Sequence, residues 1–219
     1  MPLHIAILCF PGVQPLDLIG PYEVFAAAKG VKIHLVWKTL DTVTASTGLA
    51  LKPDTTFADL TECDVLCIPG GTGVDVLLTD EETLSFVRDI ASRARYVTSV
   101  CTGALVLGRA GLLTGRRATT HWNAHDLLAS FGAIPVKERV VRDGPLITAG
   151  GVTSGIDFGL VVVAELLGRE EAETVQLLLE YAPAPPFGPG EPERSTPAAL
   201  VEAQDRLAPS KAKREAVLR

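Results

Sequence analysis

The sequence predicts an α/β domain with a mostly parallel sheet and helices on both faces. Three observations predict it. Short runs rich in branched apolar residues (Leu3–Cys9, Val31–Thr39, Asp64–Ile68, Tyr96–Val100) alternate with segments of helical apolar spacing, an order that implies crossover connections and parallel strands. The runs are near-continuously apolar, as strands buried on both faces are. The 219 residues are 47% hydrophobic, enough for one large core. Composition also excludes other classes. Charged residues are 21%, too few and too balanced by apolar ones for a disordered chain. The net charge is −6 with no basic run, which argues against nucleic acid as a partner. No apolar segment is long enough to span a bilayer, and the chain enters a strand without a charged leader, so neither membrane nor secretion is expected. The four cysteines (Cys9, Cys63, Cys67, Cys101) lack zinc-type spacing and fit a cytoplasmic protein with reduced thiols.

The elements follow in order. Leu3–Cys9 reads as a central strand closed by Pro11-Gly12. Asp17 falls in a short helical turn after it. Pro21 fits the first turn of a helix that Gly30 stops. Val31–Thr39 is a half-buried strand, and residues 43–51 form a small hairpin around Thr47-Gly48. Asp64–Ile68 is a buried strand followed by Pro69-Gly70-Gly71-Thr72-Gly73, whose glycines let backbone N–H groups approach a ligand. Asp80–Ala94 is helical. Tyr96–Val100 is a strand, Cys101 stands at the turn, and Ala104–Leu107 continues as helix. Ala118-Thr119-Thr120 is a short strand, and His121-Trp122 opens a helix to Phe131. Asp143-Gly144 joins Arg139–Arg142 to Pro145–Thr148 as a hairpin. Ile156–Leu167 and Glu170–Leu179 are helices. The proline-rich stretch Ala182–Gly190 predicts an extended surface arm. Thr196-Pro197 caps a last helix over Ala198–Ala208, and Pro209–Arg219 is expected to fray. Residues 1–180 are thus expected to form the main domain, with residues 181–219 an arm and short helix packed on it.

Cys101 is the residue that carries chemistry. It ends a strand where ligands bind in open α/β sheets, and a helix N-terminus favours thiolate over thiol. The turn reads as a nucleophile elbow. Cys9, Cys63 and Cys67 have no motif around them and read as small buried hydrophobes. Local sequence alone reads Asp17 as a cap or solvated turn residue. It reads Thr102 as a hydroxyl capping its own turn, and Gly70-Gly71 as a tight turn.

Five segments in register resemble the DJ-1/PfpI superfamily: Asp17–Phe25, Ile68–Gly71, Val100–Ala104, Ala118–Trp122 and Gly151–Asp157. The match covers nearly the whole chain. The resemblance implies a flavodoxin-like three-layer sandwich, a homodimer, and no metal or organic cofactor. It implies Cys101 as nucleophile and Asp17 as a protonated acid beside the sulfur, its pKa raised by burial and like charge. The Thr102 N–H and hydroxyl, with the N–H groups of Gly71 and Gly70, then bind developing charge. His121 lies near the nucleophile, either packed there or taking part. Ile19, Trp122, Val152 and Ile156 are candidate walls of a mostly apolar pocket, and Glu23 and Asp157 are structural acids. PfpI-type proteases carry a histidine directly after the nucleophile. Thr102 stands there in this chain, which argues against peptidase activity.

The branch most closely resembled hydrates isonitriles. The pointers are Asp17, Thr102 and the Leu179–Pro183 segment leading into Pro185-Pro186-Phe187. The implied reaction turns a small isonitrile into an N-substituted formamide through a Cys101 thioimidate, with Asp17 as acid and base. The same thiol and acid also suit glyoxalase- or deglycase-like action on methylglyoxal, or a non-catalytic redox or ligand sensor of the DJ-1 type. A DNA-binding regulator is not expected, because the segment after the arm is too short for two recognition helices.

Overall fold

The computed structural model describes residues 2–188 and 190–218. Pro189 of the expected arm and Arg219 of the expected frayed end lie outside the described residues.

The elements run β1 (Leu3–Leu8), α1 (Pro15–Ala27), β2 (Val31–Trp37), β3 (Val43–Thr44), β4 (Ala50–Leu51), β5 (Thr55–Thr56), β6 (Val65–Ile68), α2 (Val74–Leu77), α3 (Glu81–Arg93), β7 (Tyr96–Val100) and α4 (Gly103–Arg109). Then come β8 (Arg117–Ala118), a 3-10 helix (Trp122–Phe131), β9 (Ile134–Pro135), β10 (Val140–Asp143), β11 (Leu146–Ala149), α5 (Ser154–Leu167) and α6 (Arg169–Leu178). A 3-10 turn (Pro192–Arg194) and α7 (Pro197–Leu218) complete the chain.

Seven strands form the main sheet in the order β10-β11-β7-β6-β1-β2-β5. Only β10, across the Asp143-Gly144 hairpin, runs antiparallel to its neighbour. Helices α1, α5 and α6 pack together on one face. On the other, α2, α3, α4, the 3-10 helix and α7 form a second connected layer. The central strands are apolar because both faces are covered: Ile5, Ala6, Ile7 and Leu8 are fully buried, as are Val65, Cys67 and Ile68. Phe10, Phe25 and Phe158 fill the layers, each contributing about 1.5–3 kcal/mol by burial. The chain leaves β1 for β2 on one side and returns to β6 on the other. That reversal opens a crevice at the C-terminal strand ends, the place where such sheets bind ligands. No helix among the described residues is long and apolar enough to cross a membrane.

Three expectations are corrected. Helix α1 starts at Pro15, not Pro21, so Pro21 lies inside it and Asp17 in its first turn. Pro15 takes the first helical position, where a missing N–H costs nothing. Pro21 lies where α1 and α5 approach closely: a Cβ on Gly155 would meet Pro21 Cδ at 3.0 Å, and one on Gly159 would meet Val24 at 2.9 Å. Helix α7 does not stop at Ala208 but runs through Pro209 to Leu218. Proline removes one helical hydrogen bond. Anchors beyond it hold the second half: Lys211 pairs with Asp126 at 2.8 Å, and Val217 and Leu218 pack on the core. Strand β8 ends at Ala118 because the next two threonines bond sideways. Thr119 N–H donates to Thr148 Oγ1 at 2.9 Å and the Thr120 hydroxyl to the Cys101 carbonyl at 2.7 Å.

Gly103 fixes the start of α4. A Cβ there would fall on the carbonyl oxygen of Ile68, far inside van der Waals contact. Gly103→Ala must push α4 off the sheet, and is expected to cost about 2 kcal/mol or more in urea denaturation.

Candidate active site

Three segments meet at the crevice. The first turn of α1 brings Asp17, the β6–α2 turn brings Gly70 and Gly71, and the β7–α4 turn brings Cys101 and Thr102. Cys101 has φ 53°, a left-handed conformation that a non-glycine residue adopts at a cost. Its N–H is held by the Ala149 carbonyl (3.0 Å) and its carbonyl by Thr120. The sheet edge and a buried threonine thus hold the sharp turn expected of an elbow.

Asp17 is fully buried. Its Oδ2 accepts the Gly70 N–H at 2.9 Å, and its Oδ1 has no partner of hydrogen-bonding geometry. The Cys101 thiol lies close enough to alter the ionisation of that carboxyl. Burial pushes the Asp17 pKa up to about 7, against the Gly70 hydrogen bond and the neighbouring Cys101 thiol, which lower it. Burial also raises the Cys101 thiol well above its ordinary value, and the Asp17 charge adds to this. The Thr102 N–H and the positive charge of Arg214 act the other way. Burial and the Asp17 charge thus oppose the field of the seven-residue helix α4, which favours a thiolate. Attack by sulfur from the thiol form needs a base for its proton, and Asp17 is the group beside it.

The Thr102 hydroxyl does not cap its own helix. It reaches across the crevice and accepts the Gly71 N–H at 3.1 Å. Gly70 and Gly71, expected to offer N–H groups to a substrate, instead spend them on Asp17 and Thr102. Gly70 must be glycine: a Cβ would stand 2.6 Å from both Thr102 N and Thr102 Oγ1 and 2.8 Å from Asp17 Oδ2. Gly71 has φ 136° and bridges to Val13.

His121 caps the 3-10 helix, its Nδ1 accepting the Asn123 N–H at 3.3 Å, so the proton of the neutral ring sits on Nε2. Burial, then the charge of Arg214, holds its pKa down to about 4. His121 is therefore a neutral ring packed against Trp122 (centroids 5.4 Å apart) and facing Gly151. Ile19, Val152 and Ile156 are half-buried against the core, and Trp122 is half-buried beside His121. A cleft of about 390 Å³, lined by His4, His34, Asp54 and Glu62 among others, opens at the other end of the strands. It holds neither the cysteine nor the acid. Among the described residues, no group of three or more His, Cys, Asp or Glu is gathered to hold a metal.

One residue of the site had no signal in the sequence. Arg214 of α7 is 6% exposed. Its Nε donates to Asp75 Oδ1 at 2.8 Å and its Nη2 to the Gly71 carbonyl at 3.3 Å. It lies in a charged segment that reads as a solvated helix face.

An open parallel sheet with a buried acid facing a cysteine on a left-handed turn defines a class: α/β proteins with a cysteine nucleophile elbow. The DJ-1/PfpI family model matches residues 3–165, and the chain belongs to that family. It is 61% identical over 210 residues to the isonitrile hydratase of Pseudomonas putida, covering 96% of this chain and 92% of that one. A crystal structure of a ThiJ/PfpI family protein from Pseudomonas syringae superposes with a TM-score of 0.96 at 45% identity, over 100% of this chain and 91% of that one. Drosophila melanogaster DJ-1beta shares the fold, with a TM-score of 0.76 at 24% identity, over 84% and 100%.

Proposed function

We propose that this chain is an isonitrile hydratase, adding water to R–N≡C to give R–NH–CHO. One observation carries the reading: the fully buried Asp17 carboxyl, with one oxygen fixed by Gly70 and the other unpartnered, beside Cys101. The 61% identity to the Pseudomonas putida isonitrile hydratase supports it.

An isonitrile carbon accepts both a nucleophile and a proton, so the reaction needs a base that becomes an acid at one point in space. In this reading Asp17 Oδ1 takes the thiol proton as the Cys101 sulfur bonds to the carbon. It then returns that proton to the same carbon, leaving the thioimidate R–N=CH–S–Cys101. Asp17 next takes a proton from water as its oxygen adds to the carbon, and passes it to nitrogen. The carbon–sulfur bond of R–NH–CH(OH)–S–Cys101 breaks, the hydroxyl proton returns to sulfur through Asp17, and the formamide leaves. One water is consumed and both side chains are restored. The Thr102 N–H stabilises charge on the tetrahedral adduct. Gly70 and Gly71 act as positioning donors to Asp17 and Thr102. The apolar, half-buried Ile19, Val152 and Ile156, with Trp122 and the neutral His121 near the elbow, suit an apolar substituent on nitrogen. Residues 1–180 form the catalytic unit in this reading, with α7 packed on α2 and the 3-10 helix. A second copy of the chain is the natural cover for the exposed Leu177, Leu178 and Phe187.

The test uses cyclohexyl isocyanide in heavy-oxygen water. The expected product is N-cyclohexylformamide carrying one heavy oxygen, with a quenched intermediate on the Cys101 peptide whose added mass equals that of the isonitrile. No formamide from the isonitrile, with glutathione-independent conversion of methylglyoxal to lactate, overturns the reading in favour of a glyoxalase.

A further inference from the structure

We propose that Arg214 is a positioning residue of this active site, carried back by the C-terminal helix to lock the Gly70-Gly71 turn against the Cys101 elbow.

Arg214 is the one buried residue of α7 among those described. A helix docked for stability alone buries leucine or alanine. Burying a cation is expensive unless it is paired and hydrogen-bonded. The other basic side chains of α7 behave ordinarily: Arg206 pairs with Glu202 four residues earlier and stays 77% exposed, and Lys211 meets Asp126 on the surface. Arg214 turns inward, with one bond to the turn that builds the site and one to the helix that follows that turn. Its Nε meets Asp75, in the first turn of α2, and its Nη2 meets the Gly71 carbonyl.

That turn is fastened on three sides. The Gly70 carbonyl accepts the Gln14 N–H at 2.8 Å, tying it to the entry of α1. The Gly71 N–H ties it to Thr102. Arg214 holds the third side, through the next peptide group. Asp17 and Thr102 both take their fixed positions from this turn, so a side chain 139 residues from Asp75 helps set the acid and the elbow together. Two charged groups act on Cys101: Asp17 from α1 opposes a thiolate and Arg214 from α7 favours it. His121 stays neutral through burial and, in part, because Arg214 is there. Asp75, paired to Arg214, offsets part of the cation.

The proposal draws on the hydratase reading for its kinetic readout only; the thiol readout stands without it. The experiment compares wild type, Arg214→Met, Arg214→Lys and Arg214→Met/Asp75→Asn. The double variant leaves no unpaired buried carboxylate, so it folds even if the single one does not. Alkylation of Cys101 by iodoacetamide is followed against pH from the mass of its peptide, alongside kcat and KM for cyclohexyl isocyanide. Losing the cation is expected to slow alkylation at neutral pH about tenfold, equivalent to one pH unit in the profile. It is expected to lower kcat about tenfold while KM stays within about twofold, with Arg214→Lys recovering most of both. An alkylation profile like wild type in the folded double variant overturns the proposal, as does a kcat loss that only tracks lost thermal stability. If wild type hydrates no isonitrile, the functional reading falls and the alkylation profiles still decide the role of Arg214.

Discussion

Cys101→Ala is expected to lower isonitrile hydration by about 10⁴-fold or more, to the level of the uncatalysed reaction. Sulfur carries the covalent intermediate, and no other thiol can replace it. Cys9, Cys63 and Cys67 lie in or beside strands β1 and β6, and none stands at an elbow. The fold should survive the change. Alanine at φ 53° carries the same backbone cost as cysteine, and the bonds that hold the turn, from Ala149 and Thr120, use the Cys101 main chain alone. The measurement is formamide production under saturating cyclohexyl isocyanide, with thermal unfolding as the check on folding. A folded alanine variant that keeps more than about a tenth of wild-type kcat would rule out covalent catalysis.

The elbow was legible because its signal is local. An apolar strand, a thiol and a small-residue helix start are adjacent in the chain, and burial of both sheet faces writes the strands as apolar runs. Asp17 was not legible from its neighbours. A first-turn aspartate looks like a solvated cap, and only the crossover from β1 turns it inward onto the β6 turn, 53 residues away. The family resemblance supplied that link. The two misplaced helix limits share a cause: Pro21 and Pro209 are local breakers, and tertiary contacts overrode them. The helix field that favours a thiolate at Cys101 is read from local sequence, whereas the burial and carboxylate that oppose it exist only in three dimensions. Arg214 is the extreme case, since its partners are fixed by where α7 docks.

Asp17→Asn is expected to reduce kcat by ~10²–10⁴ and, at the same time, to stabilise the protein at neutral and higher pH. Asparagine keeps an oxygen for the Gly70 N–H but can neither take the thiol proton nor return it. The stability effect follows from the raised pKa, about 7 in the folded state against 3.8 for an ordinary aspartate. Below the lower value the carboxyl is protonated in both states and costs nothing. Between the two the unfolded chain ionises while the folded one does not, so wild-type stability falls as pH rises, and the loss is complete above the folded value. Asparagine has no such transition. The stability gap between variant and wild type should widen by roughly 2–3 kcal/mol between about pH 5 and about pH 8. The acid limb of the wild-type pH–rate profile should have its midpoint near the same folded value, and the residual activity of the variant should lack that limb. Urea denaturation at both pH values measures the first effect and initial rates the second. Equal loss of stability in the two proteins across that range would mean that burial does not hold the Asp17 carboxyl neutral, and the acid limb near pH 7 would need another group. A carboxyl buried where its charge opposes folding, with one oxygen left unpartnered beside a thiol, is explained by chemistry rather than by stability.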